Sequence, residues 1–148
     1  MERYKNILVP ADGSDNSERA LEHAVAIAES TKATVTVVYV ANIVSVISNF
    51  DQIPSGSGYV TEQVALDMEE TGKAVLDKMV AEVPSAVSVK SVFEVGSPGP
   101  AVLAVAKKCN ADLIVMGSRG LGPLKGLFMG SVSSYIVSHS TCPVLIVK

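Results

Sequence analysis

The chain has 148 residues, of which 48% are apolar and 18% are charged, and its formal net charge is −3. This length allows one substantial hydrophobic core and is too short for two, so we expect a single domain over residues 1–148. The negative charge and the lack of a basic stripe argue against a nucleic-acid partner. No apolar stretch approaches the roughly 20 residues that cross a bilayer, so we expect no membrane partner.

The N-terminus and the cysteines bear on the location of the protein. Residues 1–10 contain only a short apolar run, unlike the apolar stretch of a secretory signal peptide. Cys109 and Cys142 lie far apart, without a CxxC motif or a histidine at metal-ligand spacing, which favours two reduced thiols. We therefore expect a cytoplasmic protein.

The N-terminal part of the chain predicts a strand, a helix and a second strand. The short apolar run at 6–9 predicts a strand, which ends at the turn-forming residues 10–14. From 17 to 30, apolar residues recur at steps of three and four, as on the buried face of a helix. β-Branched residues fill 34–40 without clean alternation, which is typical of a parallel strand covered on both faces.

The next segment, 42–59, has mixed polarity and a Pro-Ser-Gly-Ser-Gly cluster, so we predict a mobile loop or lid. Helical spacing of apolar residues resumes over 61–83. This segment includes Gly72, and a glycine inside a helix costs about 1 kcal/mol of stability relative to alanine. Asp112 and Glu94 flank predicted strands, and we interpret them as solvated strand ends. The remaining predicted elements are a strand at 87–95, a helix at 100–109, a strand at 113–116, a helix at 131–138 and a strand at 144–147.

This alternation of strands and helices predicts an α/β fold with a doubly wound parallel sheet and helices on both faces. In such sheets, ligands bind beyond the carboxyl ends of the strands, near the point where the strand order reverses. The segments expected at that edge are 10–14, the chain from Val40 onward and the chain from Gly117 onward.

The last of these segments is rich in glycine, with five glycines between Gly117 and Gly130. Glycine lets backbone N–H groups approach an anion, and a helix that opens at Gly130 and Ser131 favours negative charge at its N-terminus. The pattern therefore indicates a phosphate site, although it matches neither GxxxxGK[ST] nor a full GxGxxG. The alternative is that the glycines only serve turns. Further donors and cations in the segment are Ser133, Ser134, Arg119 and Lys125.

This segment resembles the ATP-binding signature of universal stress proteins, which reads Gly, two residues, Gly, nine residues, Gly and then Ser or Thr. Gly117, Gly120, Gly130 and Ser131 stand at these positions. The similarity extends over ILVPADGSDNSERAL, VVYV, EVGSPGPAVLAVAKKCNADLIVMGSRG and SHSTCPVLIVK, and leaves only 42–59 without a family pattern. It implies a five-stranded parallel sheet of order 3-2-1-4-5 with four helices, Rossmann-like and similar to the adenine nucleotide alpha hydrolases. It also implies a homodimer through the last strand.

The resemblance further implies which residues contact an adenine nucleotide. The adenosine pocket would be lined by Pro10, Ala11 and Asp12, and the backbone of Val40 would meet the adenine edge. For Asp12 we prefer a ribose or adenine contact over a Mg²⁺ ligand, because a carboxylate repels phosphates. The ribose and phosphates would be held by residues of the glycine-rich segment, namely Met116, Gly117, Ser118, Arg119, Gly120, Gly122, Gly130, Ser131, Val132 and Ser133.

The sequence and the resemblance leave functions of different classes open. One is a regulatory binding module of the stress response, in which ATP, or AMP or ADP, sets the state of a dimer. The alternative is a slow ATPase or phosphotransferase, in which Arg119 stabilises charge and Asp12 or Mg²⁺ positions water. No base stands at recognisable spacing, since His23 and His139 form no metal motif and Ser118 lacks the GxSxG spacing of a hydrolase. A nucleotide-free structural dimer is disfavoured, because the resemblance implies that non-binders lack the glycine signature.

Overall fold

The computed structural model describes residues 3–42, 57–119 and 129–148, with side chains from 62 onward in the second range. Its five strands are β1 (Asn6–Ala11), β2 (Thr34–Ala41), β3 (Val89–Val95), β4 (Leu113–Gly117) and β5 (Val144–Val147). They form one sheet in the order β3-β2-β1-β4-β5, and every adjacent pair is parallel. The strand order implied by the resemblance is therefore confirmed, with β1 at the centre.

Four helices connect these strands in the described ranges. They are α1 (Asp15–Thr31), α2 (Ser57–Glu82), α3 (Pro98–Lys108) and α4 (Ser131–His139). α1 begins where Ser14 Oγ accepts a hydrogen bond from the amide of Ser17, and it ends at Lys32, whose φ is 62°. α3 begins two residues before its predicted start, because proline is favoured in the first turn of a helix.

The helices cover both faces of the sheet. On one face, α1 and α2 pack over Ile7 and Val9 of β1. On the other face, α3 and α4 pack over Leu8. Successive residues of β1 therefore meet different helical layers, and Ile7, Leu8 and Val9 are all buried, which is why the centre of the strand is an uninterrupted apolar run.

Gly72 lies in the middle of α2, where the sequence suggested only a propensity cost. A Cβ at this position would stand 2.5 Å from Phe93 and 2.6 Å from Tyr39. These two rings stack with centroids 6.0 Å apart, across β3 and β2. The glycine therefore lets α2 lie directly on the ring pair, and its propensity cost is offset by this packing.

Two local predictions need correction. The predicted loop 42–59 ends earlier, because α2 begins at Ser57, and residues 43–56 of that loop lie outside the described ranges. Asp112 is not simply a solvated strand end, because its carboxylate accepts hydrogen bonds from the amides of Lys5 (2.8 Å) and Asn6 (3.2 Å) and anchors the start of β1. None of the described helices combines the length and apolarity needed to cross a membrane.

Candidate functional site

A cavity of about 300 Å³ opens at the carboxyl ends of β1, β2 and β4. The chain leaves β1 toward β2 on one side, whereas β4 and β5 lie on the other side, so the strand order reverses beside β1. This reversal is the point at which open parallel sheets bind ligands. The volume lies at the low end of the range for small-molecule sites.

One side of the cavity is apolar. Pro10 of β1, Val38 and Val40 of β2, and Met116 of β4 line it, and Val102 of α3 faces them. These strand positions share the sheet face that α3 and α4 cover, because alternate residues of a strand point the same way. Such a surface suits a flat, largely apolar ring.

The opposite side is the N-terminus of α4. The N-cap is Gly130, which has no side chain to cap the helix, and the first helical hydrogen bond is donated by the amide of Ser134 to the carbonyl of Gly130, at 3.0 Å. The amides of Ser131, Val132 and Ser133 therefore have no partner within the helix. Together with the helix dipole, they form a favourable environment for an anion.

Ser133 and Ser118 have roles that the sequence did not suggest. The hydroxyl of Ser133 is buried and donates to the carbonyl oxygens of Ser118 (2.8 Å) and Gly130 (3.0 Å). The same carbonyl of Ser118 accepts from the amide of Gly130 at 2.8 Å. The Ser133 hydroxyl proton is thus used in hydrogen bonds that join α4 to the residue after β4. Ser133 can donate to a ligand through its backbone amide.

The two signature glycines that the structure describes serve different purposes. At Gly117, a Cβ would stand 2.7 Å from the Cβ of Asn16, so this glycine makes room for α1. At Gly130, a Cβ would meet no atom of the described residues closer than 3.6 Å, and the backbone has an ordinary φ of −67°. Neither the backbone conformation nor packing against the residues that the structure describes requires glycine at 130, so the space that its missing Cβ leaves in the cavity is available to a ligand.

Asp12 lies where β1 turns toward α1. One of its carboxylate oxygens accepts the amide of Ser14 at 2.9 Å. Within the described part of the chain, its other oxygen has no hydrogen-bond partner, and Asp12 is the one carboxylate that lines the cavity. Such an oxygen can accept from a hydroxyl group or bind a cation that also contacts phosphates.

Among the described lining residues, Arg119 is the one that carries a positive charge. It follows β4, lines the cavity, and its guanidinium makes no hydrogen bond or ion pair to any residue that the structure describes. Its backbone carbonyl accepts a hydrogen bond from Asn16 of α1 at 2.9 Å. An arginine that lines the same cavity as helix-terminal amides without partners in the helix is an arrangement that suits phosphate oxygens.

Most residues predicted from the sequence meet at this one cavity. The described members of the predicted set line it, except Ser118, which acts through its carbonyl, and Ser134. Gly120, Gly122 and Lys125 lie outside the described residues. Sequence reasoning missed the lining residues Ser17, Val38, Pro98 and Val102, and it included Ser14 only within the expected edge segment 10–14. The apolar members among these look like ordinary core residues, and only their place near the carboxyl end of β2 or in the first two turns of α3 could have singled them out.

Comparison with known proteins gives a consistent result over the whole chain. The sequence model of the Universal stress protein family matches residues 3–148. The chain is 35% identical over 147 residues to Universal stress protein MJ0531 of Methanocaldococcus jannaschii, covering 98% of this chain and 82% of that relative.

Solved structures agree with the sequence comparison. The structure of the hypothetical protein MJ0577 matches with a TM-score of 0.86 at 28% identity, covering 99% of this chain and 96% of the other. A universal stress protein solved in complex with cAMP matches with a TM-score of 0.68 at 26% identity, covering 98% and 97% of the two chains. The sheet order and the helical layers described above are thus shared with structures of this group.

Proposed function

The chain belongs to the universal stress protein family, and from that membership we propose that it is an ATP-binding regulatory module of the stress response. The observation that carries this proposal is the pairing of an apolar wall with an uncapped helix N-terminus across one cavity. A nucleotide has the same two parts, a flat base and an anionic phosphate chain. A relative solved with cAMP supports an adenine nucleotide as the ligand class.

In this proposal, the base lies against the valines of β2 and Val102. The ribose hydroxyls face the unpaired oxygen of Asp12, at the turn after β1. The phosphates meet the first amides of α4 and the guanidinium of Arg119, which provide hydrogen-bond donors and positive charge at one place. ATP is preferred over AMP or ADP because these donors and Arg119 favour a longer anionic chain.

A Mg²⁺ ion bound with the phosphates would have Asp12 as its protein ligand. No group of three or more metal-binding side chains occurs in the described residues. Mg²⁺ commonly takes one or two carboxylates and completes its shell with phosphates and water, so one aspartate suffices. We nevertheless assign Asp12 first to the ribose, because a carboxylate repels phosphates, whereas a ribose hydroxyl can donate to the Asp12 oxygen that Ser14 does not bind.

The role is regulatory because the described lining residues hold phosphate without activating water. Asp12 is the only group among them with the chemistry of a general base, and it lies at the ribose position of the proposal. Signalling would pass through a homodimer that pairs the β5 edges in the cytoplasm. β5 is an edge strand, and its Leu145 is 37% exposed, which is consistent with a covering partner.

The test is calorimetric titration with ATP, ADP, AMP, cAMP and adenosine. We expect micromolar affinity for ATP in the unmodified protein and a strong loss in Gly130→Val, whose branched side chain fills the space beside the helix amides. Ser138→Val is the matched control, because Ser138 is exposed on the same helix and does not line the cavity. Equal ATP affinity in all three proteins would show that the nucleotide binds elsewhere.

A further inference from the structure

Arg119 is held by its backbone rather than by its side chain. The preceding residue, Ser118, donates its amide to the carbonyl of Val147 (2.9 Å), and its carbonyl accepts from Gly130 and Ser133 at the start of α4. These bonds fix the chain up to Ser118. In the described residues, the next bond along the chain is the one between the Arg119 carbonyl and Asn16.

Asn16 reaches this carbonyl from a different element, 103 positions away in the sequence. It stands in the first turn of α1 and is half-buried. Its Nδ2 donates to the Arg119 carbonyl at 2.9 Å. The approach depends on Gly117, because any Cβ there would overlap the Cβ of Asn16. The first glycine of the signature thus makes room for this contact.

Arg19, one turn further along α1, fixes the orientation of the Asn16 amide. Its guanidinium donates to Asn16 Oδ1, so the amide oxygen faces Arg19 and the amide nitrogen faces Arg119. With the amide reversed, two donors would meet at Arg19 and two oxygens would meet at Arg119. Arg19 itself is exposed and does not line the cavity. Its effect on a ligand would therefore be indirect.

We infer that Asn16, oriented by Arg19, is a positioning residue that holds Arg119 for the phosphate groups of the nucleotide. The inference rests on the proposed function, and it assigns a role to two residues outside the glycine signature. Because the Asn16 contact acts on the residue that carries the cation, its loss weakens binding of the phosphates and leaves binding of the base and ribose unchanged.

The first experiment compares ATP with adenosine by calorimetry in Asn16→Ala. Removal of one neutral hydrogen bond predicts an ATP dissociation constant raised about 3- to 10-fold. The adenosine constant should not change, and Asn16→Ala should add nothing in an Arg119→Ala background, because the two changes remove the same interaction. An equal loss for adenosine and ATP, an additive double variant, or no loss of ATP affinity would overturn the inference.

Variants of Arg19 separate orientation from charge. Arg19→Gln keeps an N–H donor and removes the charge, whereas Arg19→Met removes both. We expect ATP affinity close to that of the unmodified protein in Arg19→Gln and a loss like that of Asn16→Ala in Arg19→Met. Lys107→Met, at the exposed far end of α3, is the control for removal of one positive charge. Equal losses in Arg19→Gln and Arg19→Met would overturn the orienting role.

A second readout needs no nucleotide. The order parameter of the Arg119 carbonyl carbon, which lies in the peptide plane that Asn16 binds, should fall from the rigid range near 0.85 toward about 0.6 in Asn16→Ala, while that of the Ile114 carbonyl carbon in the centre of β4 stays unchanged. If the unmodified protein fails to bind ATP, the proposed function fails, and this measurement still decides the positioning of Arg119. An unchanged order parameter at the Arg119 carbonyl carbon would overturn it.

Discussion

Substitution of Gly117 by alanine should lower stability, whereas substitution of Gly130 by alanine should weaken nucleotide binding, although both glycines belong to one signature. In Gly117→Ala, the new Cβ stands 2.7 Å from the Cβ of Asn16 and 3.1 Å from its backbone carbonyl carbon, so α1 or the end of β4 must shift. In Gly130→Ala, the nearest atom among the described residues is 3.6 Å away, so none of these residues needs to move.

The magnitudes follow from these distances. Overpacking of this kind costs about 1–3 kcal/mol, and a domain of this size loses roughly 2–4 °C of Tm per kcal/mol. Gly117→Ala should therefore lower Tm by about 2–12 °C. Gly130→Ala should leave Tm within about 3 °C, because the stiffer unfolded chain offsets the poorer N-cap. It should weaken ATP binding about 10- to 100-fold, the cost of losing a hydrogen bond to a charged group.

Thermal unfolding without nucleotide and calorimetric titration with ATP measure the two effects separately. We expect a lower Tm in Gly117→Ala, and a weaker ATP affinity at unchanged Tm in Gly130→Ala. Equal losses of Tm in both variants would refute the reasoning, because the distances assign the steric conflict to Gly117 alone. Unchanged ATP affinity in Gly130→Ala would refute the assignment of the space beside Gly130 to the phosphates.

Three further results are expected. Leu145→Lys places a charge on the exposed β5 edge and should convert a dimer to a monomer in sedimentation; a monomeric unmodified protein at micromolar concentration would contradict the proposed dimer. Phosphate release from ATP with Mg²⁺ should stay well below roughly 1 s⁻¹ and be unaffected by Arg119→Ala or Asp12→Asn, whereas a faster rate lost in either variant would indicate an enzyme. Gly72→Ala should lower Tm through its 2.5 Å approach to an aromatic ring, and an unchanged Tm would show that α2 moves freely on the sheet.

The strands could be predicted from the sequence because each is a short, continuous apolar or β-branched run. β5 has the same bounds in prediction and structure, and the other strands differ by one or two residues at an end. Helix starts were less accurate. α1 begins at Asp15 rather than 17, since Ser14 is the capping residue and the apolar pattern begins only further on. Apolar spacing reports the buried face of a helix and not its first turn.

The site was predicted only in part, because its members differ in what they reveal locally. Glycines before a helix are conspicuous in the sequence, and Gly117 and Gly130 both line the cavity. Val38 and Val102 look like core residues, and only the folded sheet with its helices brings them to the cavity that Gly117 and Gly130 also line. Contacts of Asn16 with Arg119, and of Asp112 with the start of β1, join residues more than a hundred positions apart. No local pattern encodes such pairings.

The central claim is that the first amides of α4 receive the phosphates of an adenine nucleotide. The most direct measurement is backbone and methyl chemical-shift mapping by NMR, with ATP and adenosine titrated in parallel. The account predicts that ATP shifts the amides of Ser131, Val132 and Ser133 strongly while adenosine does not, and that both ligands shift the methyl groups of Val38 and Val102. Shifts of these three amides that are equal with both ligands, or ATP-induced shifts that cluster away from the cavity, would contradict it.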